Sequence, residues 1–349
     1  MPISSSDIKR RALELGFDAC GIAPAEAFPE LPFLRDWLAR GYAGEMHYLE
    51  RTADRRADVR TVLPGARSVI VTATVYNTDR PYSTEQPDDS GAHIARYAWG
   101  DDYHDVLADR LQALLEWMRA TSTAPFEARA YVDTGPVQER VYAHHAGLGW
   151  IGKNTALINP SLGSWLFLSE IICSLPLQPD SAALDQCGTC TLCLEACPTG
   201  ALVSPGVLDA TRCVSYLTIE VRGPIPEEHR RGIDSHVYGC DICQEVCPWN
   251  AMPLASADPA WQPREMFDHR PLVELWRRSD AELRGGLRGS AMRRAGVTRL
   301  RRNLAVAIGN SSDPAVRDVL AERPPDSPSV HNPMVEEHVQ WGRGALKGK

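Results

Sequence analysis

Between residues 103 and 120 the apolar positions Val106, Leu107, Leu111, Leu114, Leu115 and Met118 recur every three to four residues, which predicts an amphipathic helix with one buried stripe. A shorter helix is predicted over 4–16 (SSSDIKRRALELG), where Ser and Asp precede the apolar positions and Gly16 follows them. FDACGIAPA at 17–25 and ARSVIVTATVY at 66–76 are runs of small and branched apolar residues instead. They predict strands, the second buried on both faces. Between them, LPFLRDWLARG stops at Gly41 and EMHYLERTADRRADVRTVLPG stops at Pro64 and Gly65, which predicts a helix pair.

A polar loop over 77–93 leads into the 103–120 helix. The stretch that follows predicts a strand at 126–132, a turn at 133–136 and a helix from Pro136 to about Ala146. Asp133 then sits at the carboxyl end of a strand, where α/β sheets place their ligands. It is equally placed to cap the helix that begins at Pro136. TALINPSLGSWLFLSEIIC (155–173) reads as two strands joined by a Pro/Gly/Ser turn. These elements define an α/β domain over 1–178. The next stretch, 179–255, is short of apolar residues and rich in loops. From 256 to 349 the expectation is a helical region, with helical spacing over 270–322 and an extended, proline-rich tail from 324.

With 349 residues, 44% of them apolar, the chain has material for two or three domains. No run of about 18 apolar residues exists to span a bilayer. A formal charge of −8 excludes a uniformly basic nucleic-acid wrapper, but the balance reverses locally. Residues 277–302 hold Arg277, Arg278, Arg284, Arg288, Arg293, Arg294, Arg299, Arg301 and Arg302 against only Asp280 and Glu282. An arginine-rich face of this kind can neutralise phosphates.

Eight of the ten cysteines lie between 187 and 247. The first run, Cys187, Cys190, Cys193, Cys197 and then Pro198, has the spacing in which three thiolates hold one 4Fe-4S cube and the fourth reaches its neighbour. Cys187, Cys190, Cys193 and Cys247 therefore form one ligand set. Cys240, Cys243, Cys197 and the outlying Cys213 form the other. A tetrahedral zinc ion would use four ligands in two pairs, and eight thiols in a triplet-plus-proline pattern fit no single ion. The chain begins MPISSSDIKRRALELG without an apolar signal segment, so the expected compartment is a reducing cytoplasm in which thiols persist as ligands. Cys20 and Cys173, outside the runs, are expected as small buried hydrophobes.

With these cysteines stand MHYLE (46–50), LPGARSVIV (63–71), YVDTGPVQER (131–140), GWIGKNTALI (149–158), RCVSYLTIE (212–220) and YGCDICQEVCPWN (238–250). Together they make the chain resemble the epoxyqueuosine reductase family over nearly its whole length. DTGPVQER and GWIGKN single the family out, because the cysteines alone indicate only electron transfer. The resemblance implies an α+β or α/β nitroreductase-like domain that binds cobalamin, a ferredoxin-like module with two 4Fe-4S clusters, and a short helical, HEAT-like C-terminus. The implied activity is two-electron removal of the epoxide oxygen of epoxyqueuosine at wobble position 34 of tRNA.

By the same resemblance Asp133 is the proton donor. Burial must then raise its pKa from the ordinary value of about 3.9 for it to serve near neutrality. The implied cobalamin contacts are Arg56, Arg96, Asp133, Lys153, Asn154, Leu157, Leu168, Ser215 and Gln244. The implied tRNA contacts are Arg222 and, in the basic stretch, Arg293, Arg294, Arg299, Arg301 and Arg302. An external donor of the flavodoxin or ferredoxin type and a monomeric chain complete the expectation. Asp234, His236 and Gly239 also fit Asp-x-His-x-x-Gly, a signature by which some cobalamin enzymes supply a histidine to cobalt, but here the glycine runs directly into Cys240. The alternatives are a reductive dehalogenase, which usually carries a twin-arginine signal, and an electron carrier or cobalamin escort, which has no need of an aspartate over the cofactor.

Overall fold

The computed structural model describes residues 3–86 and 91–344, so part of the polar loop and both chain ends lie outside it. Helix α1 (Ser5–Glu14) starts at a capping box in which Ser4 and Asp7 each accept the other's backbone N–H, and Gly16 takes a positive φ of 88° just beyond its end. The strands β1 (Ala19–Pro24), β2 (Ser68–Val75), β3 (Ala128–Tyr131) and β4 (Leu166–Cys173) form one sheet in the order β1-β2-β4-β3. Every neighbouring pair is antiparallel. The sheet is thus α+β in character, not a parallel doubly wound one.

Both faces of the sheet are covered. Helix α2 (Tyr103–Thr121) buries Leu107, Leu111, Leu114, Leu115 and Met118 against Ile22, Ile70, Phe167 and Ile171, while Val106 is only partly buried. Helix α3 (Glu139–His145) packs on the other face, where Val141, Tyr142 and Ala143 meet Val69, Val71, Leu168 and Ile172. Double coverage explains the unbroken apolar run of β2, all of whose residues are buried. Cys173 is fully buried in the first of these cores and Cys20 packs at its edge. Burial pushes their thiols up to about 11 and about 12 respectively, as befits inert apolar groups.

The expected hairpin over 155–173 does not form. Leu157–Ile158 pairs with Trp150–Ile151 instead, and β4 lies between β2 and β3. The proline-rich tail is also not extended, because Pro328–His331 forms a 3₁₀ turn and Pro333–Gly344 a helix. Pro333 stands at a helix start, where its missing N–H costs nothing.

Helix α4 (Val214–Ile219) follows the outlying Cys213. Helix α5 (Gly296–Asn310) is buried on all sides from Leu300 to Gly309, and α6 (Pro333–Gly344) crosses it. A Cβ on Gly309 would lie 2.5 Å from Gly342 Cα, so the two backbones touch only because both positions are glycine. The apolar core around α5 takes in Ala92, Ile94 and Ala98 as well as Val237 and Tyr238. No described helix is long and apolar enough to cross a membrane.

Candidate functional site

The eight thiols separate into two groups in space. Cys193 is raised by burial and by the neighbouring charges of Cys247, Cys187 and Cys190. Cys243 is raised well above the ordinary thiol value by burial and then by Cys213, Asp241, Cys197 and Cys193, and Cys240 by burial and then by Cys243 and, more weakly, Cys213. The thiols thus group as their spacing groups them, Cys193 with Cys187, Cys190 and Cys247, and Cys243 with Cys240, Cys213 and Cys197. Thiolates on one zinc ion would lie about 3.8 Å apart. Among the described residues, the group of three ligand atoms that closes to within 4.8 Å contains no cysteine. The wider spacing suits cubes. Two N–H···S bonds already reach the ligands, from Trp150 Nε1 to Cys187 at 3.4 Å and from the Ala201 amide to Cys197 at 3.2 Å, and such bonds tune cluster potential.

The GWIGKN segment forms the clasp between sheet domain and cysteines. Lys153 Nζ donates to the carbonyls of Gly188 and Cys190 at 2.7 and 2.8 Å, and Asn154 Nδ2 donates to the Cys243 carbonyl at 3.0 Å. Both side chains thus hold cluster loops in place. The same turn meets α3, where Arg140 donates to the Thr155 carbonyl.

Asp133 ends β3 in the left-handed region, with φ 56°. That conformation is unfavourable for most residues and tolerable for Asp or Asn. A 2.6 Å bond from its amide to Glu139 Oε1 holds it there. Its carboxylate does not cap α3 as the motif allowed. It accepts instead from Tyr103 Oη at 2.8 Å and faces His104 Nε2 at 3.3 Å, while His104 Nδ1 lies 2.7 Å from Asp102 Oδ1.

Charge states follow from these contacts. Burial alone would raise Asp133, but the bonds from His104 and Tyr103, with the positive charges of His104 and Arg294, bring it below the ordinary carboxylate value. Burial alone would lower His104, but the bonds to Asp133 and Asp102 raise it. Asp133 is therefore held below the ordinary carboxylate value, contrary to the expectation of a raised pKa, and the same contact holds His104 above its ordinary value. Sequence reading missed His104, although Asp-Asp-Tyr-His at the start of the 103–120 helix marks it as a histidine beside a helix-capping acid. Beneath Asp133, burial and the Asp133 charge push Glu139 up to about 8, and Glu170, fully buried on β4, is driven well above its ordinary value by burial and by Glu139. Among the described residues, the only partner of the Glu170 carboxyl is that of Glu139 beside it.

A pH dependence follows. Below the raised pKa of His104 the pair carries its proton, and above it the proton is lost. Single-turnover rate is therefore expected to fall as pH rises through a value above 6.5, the ordinary pKa of the histidine. His104→Gln should abolish that limb, which a rate–pH profile of both proteins checks.

Asp133 and two of the cysteines share one property. Desolvation is the largest influence on Asp133, yet 49% of its side-chain surface stays open to water. Cys240 and Cys243 combine strong desolvation with incomplete burial in the same way. Such groups are enclosed by protein yet keep an open side. A single turn binds the Cys243 loop through Asn154 and α3 through Thr155.

The other residues expected at a corrin are dispersed. Arg56 donates to Thr52 Oγ1 and to the Val137 carbonyl at 2.6 Å, and its charge is felt by Glu170. Leu157 and Leu168 belong to the apolar core under α3. Ser215 is half-buried in α4, and Gln244 Nε2 donates to the Ser164 carbonyl at 2.9 Å. Arg96 requires a correction. It is only 2% exposed, donates to Asn77 Oδ1 and to the carbonyls of Thr78, Arg80 and Pro81, and lies against the rings of Tyr82, Trp99 and Trp165. It anchors a loop and offers no open guanidinium. His236 is a buried strand residue lining a separate cavity of about 420 Å³, whose lining includes neither Asp133 nor a cluster cysteine.

The basic stretch divides in two. Arg222, Arg293 and Arg294 are exposed. Arg294 pairs with Glu220 at 2.9 Å, lies over the Tyr48 ring and contributes to the field at Asp133. Arg301 and Arg302, by contrast, are fully buried and cannot touch RNA. Arg301 pairs with buried Asp280 and donates to the carbonyls of Trp276 and Arg278. Arg302 donates to the carbonyls of Leu217, Val221 and Gly223. Asn303 reaches Thr218 O at 2.8 Å, and half-buried Arg299 reaches Ile219 O at 2.7 Å. Side chains of α5 thus satisfy the carbonyls that the end of α4 leaves open. Arg277 and Arg278 are paired with Glu322 and with Glu274 and Glu282.

Comparison with known proteins agrees with this geometry. The model of "4Fe-4S double cluster binding domain" matches residues 186–250, and that of "Epoxyqueuosine reductase QueG, DUF1730" matches residues 56–134. The epoxyqueuosine reductase of Xanthomonas campestris pv. campestris is 42% identical over 346 residues, covering 97% of this chain and 95% of that protein. A crystal structure of epoxyqueuosine reductase with an epoxyqueuosine-modified tRNA-Tyr stem loop superposes with a TM-score of 0.85 at 31% identity, covering 97% of this chain and 89% of the other. The Bacillus subtilis epoxyqueuosine reductase, in a structure whose catalytic aspartate loop is swung out of the active site, has a TM-score of 0.83 at 29% identity over 97% of this chain and 89% of that one. Likeness of sequence and fold along almost the entire length places this chain in the epoxyqueuosine reductase family.

Proposed function

We propose that this protein reduces the epoxide of epoxyqueuosine in tRNA to the alkene of queuosine, with Asp133 and His104 as the proton-delivering pair. The observation that carries this reading is an aspartate whose carboxylate is bonded to Tyr103 and His104, in a chain whose Lys153 and Asn154 clasp the cysteine loops. The overall change breaks both epoxide C–O bonds, forms a C=C bond and releases the oxygen as water. It consumes two electrons and two protons.

Cobalamin, when bound, would supply the low-potential carbon-directed reduction that no amino-acid side chain can perform. The two clusters accept and pass one electron at a time, which suits a two-electron reaction fed by an external one-electron donor. Covering the open half of Asp133 with cofactor and nucleoside adds desolvation to its carboxylate. That favours transfer of the proton from His104 to Asp133, next to the departing oxygen. Glu139 holds the Asp133 amide and so keeps the acid in its strained conformation.

Arg222, Arg293 and Arg294 are the proposed phosphate contacts. Charge-removing substitutions there should flatten the salt dependence of tRNA binding by about 0.7–0.9 in log–log slope per lost contact. Binding titrations across a range of salt check this, and an unchanged slope would remove these arginines from the interface. The function itself is tested by anaerobic reconstitution with iron, sulfide and cobalamin, then nucleoside mass analysis of epoxyqueuosine-bearing tRNA after adding reductant. Loss of one oxygen mass that requires cobalamin is expected. Full clusters and bound cobalamin with an unaltered nucleoside would overturn it.

A further inference from the structure

At the end of α3 remote from Glu139, about 9 Å along the helix axis, Glu30, His144 and His145 bring one ligand atom each to within 4.8 Å of one another. We propose that these three residues bind a zinc ion, at a site that includes none of the cluster cysteines and not Asp133. The proposal is independent of the reaction assigned above.

The donor set is two imidazoles and one carboxylate, which is the three-ligand zinc environment that leaves a fourth position for water. Both rings are fixed before any ion arrives. His144 Nδ1 lies 3.1 Å from the Gly149 carbonyl. Donation to that carbonyl leaves the lone pair on Nε2, the arrangement by which an outer hydrogen bond prepares a histidine ligand. His145 is stacked face to face on Phe28, with centroids 3.6 Å apart and planes 5° from parallel, and its Nε2 is 3.1 Å from Glu30 Oε2. The two histidine rings stand 4.9 Å apart at 71°.

The loop that carries Glu30 is held as well. Tyr142 Oη donates to the Glu26 carbonyl and Gln138 Nε2 to the Leu31 carbonyl, both at 2.9 Å, so α3 pins the loop on either side of the carboxylate. Side-chain exposures of 19% for His145 and 40% for Glu30 leave an approach for an ion from solution. On binding, zinc replaces the proton shared between His145 and Glu30, and the coordinating nitrogens must be neutral, so uptake releases protons and strengthens with pH.

The competing explanation is a plain His145–Glu30 ion pair, in which His144 has no part. That difference makes the test. Holoprotein with both clusters loaded is titrated anaerobically with Zn²⁺ against a chromogenic zinc chelator, alongside His144→Ala, His145→Ala and Glu30→Gln. One zinc per wild-type chain is expected, with at least tenfold weaker binding in each variant and with unchanged iron content and queuosine formation. Equal zinc affinity in wild type and His144→Ala, or no zinc uptake by wild type, would overturn the proposal. Iron analysis and thermal melts of each variant establish that a loss of zinc is not a loss of fold.

Discussion

Asp133→Asn is expected to fold, load both clusters and bind cofactor, yet to form alkene about 10²–10⁴ times more slowly, the usual contribution of a positioned acid. Asparagine adopts the left-handed backbone nearly as readily as aspartate, so the φ of 56° survives. Its amide can still accept from Tyr103 and still donate the backbone N–H to Glu139. What it cannot do is take a proton from His104 and pass it on. The measurement is single-turnover nucleoside mass analysis with cluster and cofactor content quantified in the same sample. Turnover by the variant within threefold of wild type would mean that the proton reaches the epoxide oxygen by another route. His104→Gln should fall between the two, because Asp133 would then draw its proton from water.

Arg302→Leu is expected to destabilise the protein by about 3–5 kcal/mol, the cost of breaking a buried ionic or polar network from one side. Burial and the nearby Arg299 lower the Arg302 pKa to about 9, so the guanidinium remains charged at neutral pH. It is solvated there by three backbone carbonyls and by Asn303 Oδ1. Leucine would fill part of the volume and leave those carbonyls without donors, at about 1–3 kcal/mol each before relaxation. Leu217 O belongs to α4, and Cys213 stands at the start of that short helix. Loosening the helix should therefore release iron from the second cluster first. Iron and labile sulfide assays should move from eight toward four per chain, with a lower thermal midpoint. Whatever folded protein remains should show the wild-type salt slope for tRNA binding. A stable Arg302→Leu with full iron and a flattened slope would return this arginine to the RNA surface.

The two outcomes show which kinds of information lay in the sequence. Spacing within a few residues encodes local chemistry, so the two cysteine sets, the amphipathic 103–120 helix and an aspartate ending a strand were all legible without coordinates. The Gly-Trp-Ile-Gly-Lys-Asn segment marked the family, but its work as a clasp on Gly188, Cys190 and Cys243 depends on partners 35 to 89 residues away. The arginine run misled for a related reason. Local charge density says nothing about burial, and Arg301 and Arg302 lie inside because Asp280, the end of α4 and the turn after it present acceptors that water would otherwise serve.

By itself, the sequence determined the spacing of the cysteine runs, the element types over most of the described chain and the likeness to the family, since each rests on residue type at short separation. Only the tertiary structure decided that β4 is a central strand, not one arm of a hairpin, that the proline-rich tail is helical, and that contact with His104 holds the Asp133 carboxyl down while raising the imidazole. Strand pairing, the packing of glycine against glycine at 309 and 342, and the sharing of a proton between residues 29 positions apart are all set by contacts between distant segments. Such contacts exist only after the chain has closed on itself, because a carboxylate's charge state follows from what surrounds it and not from its neighbours along the chain.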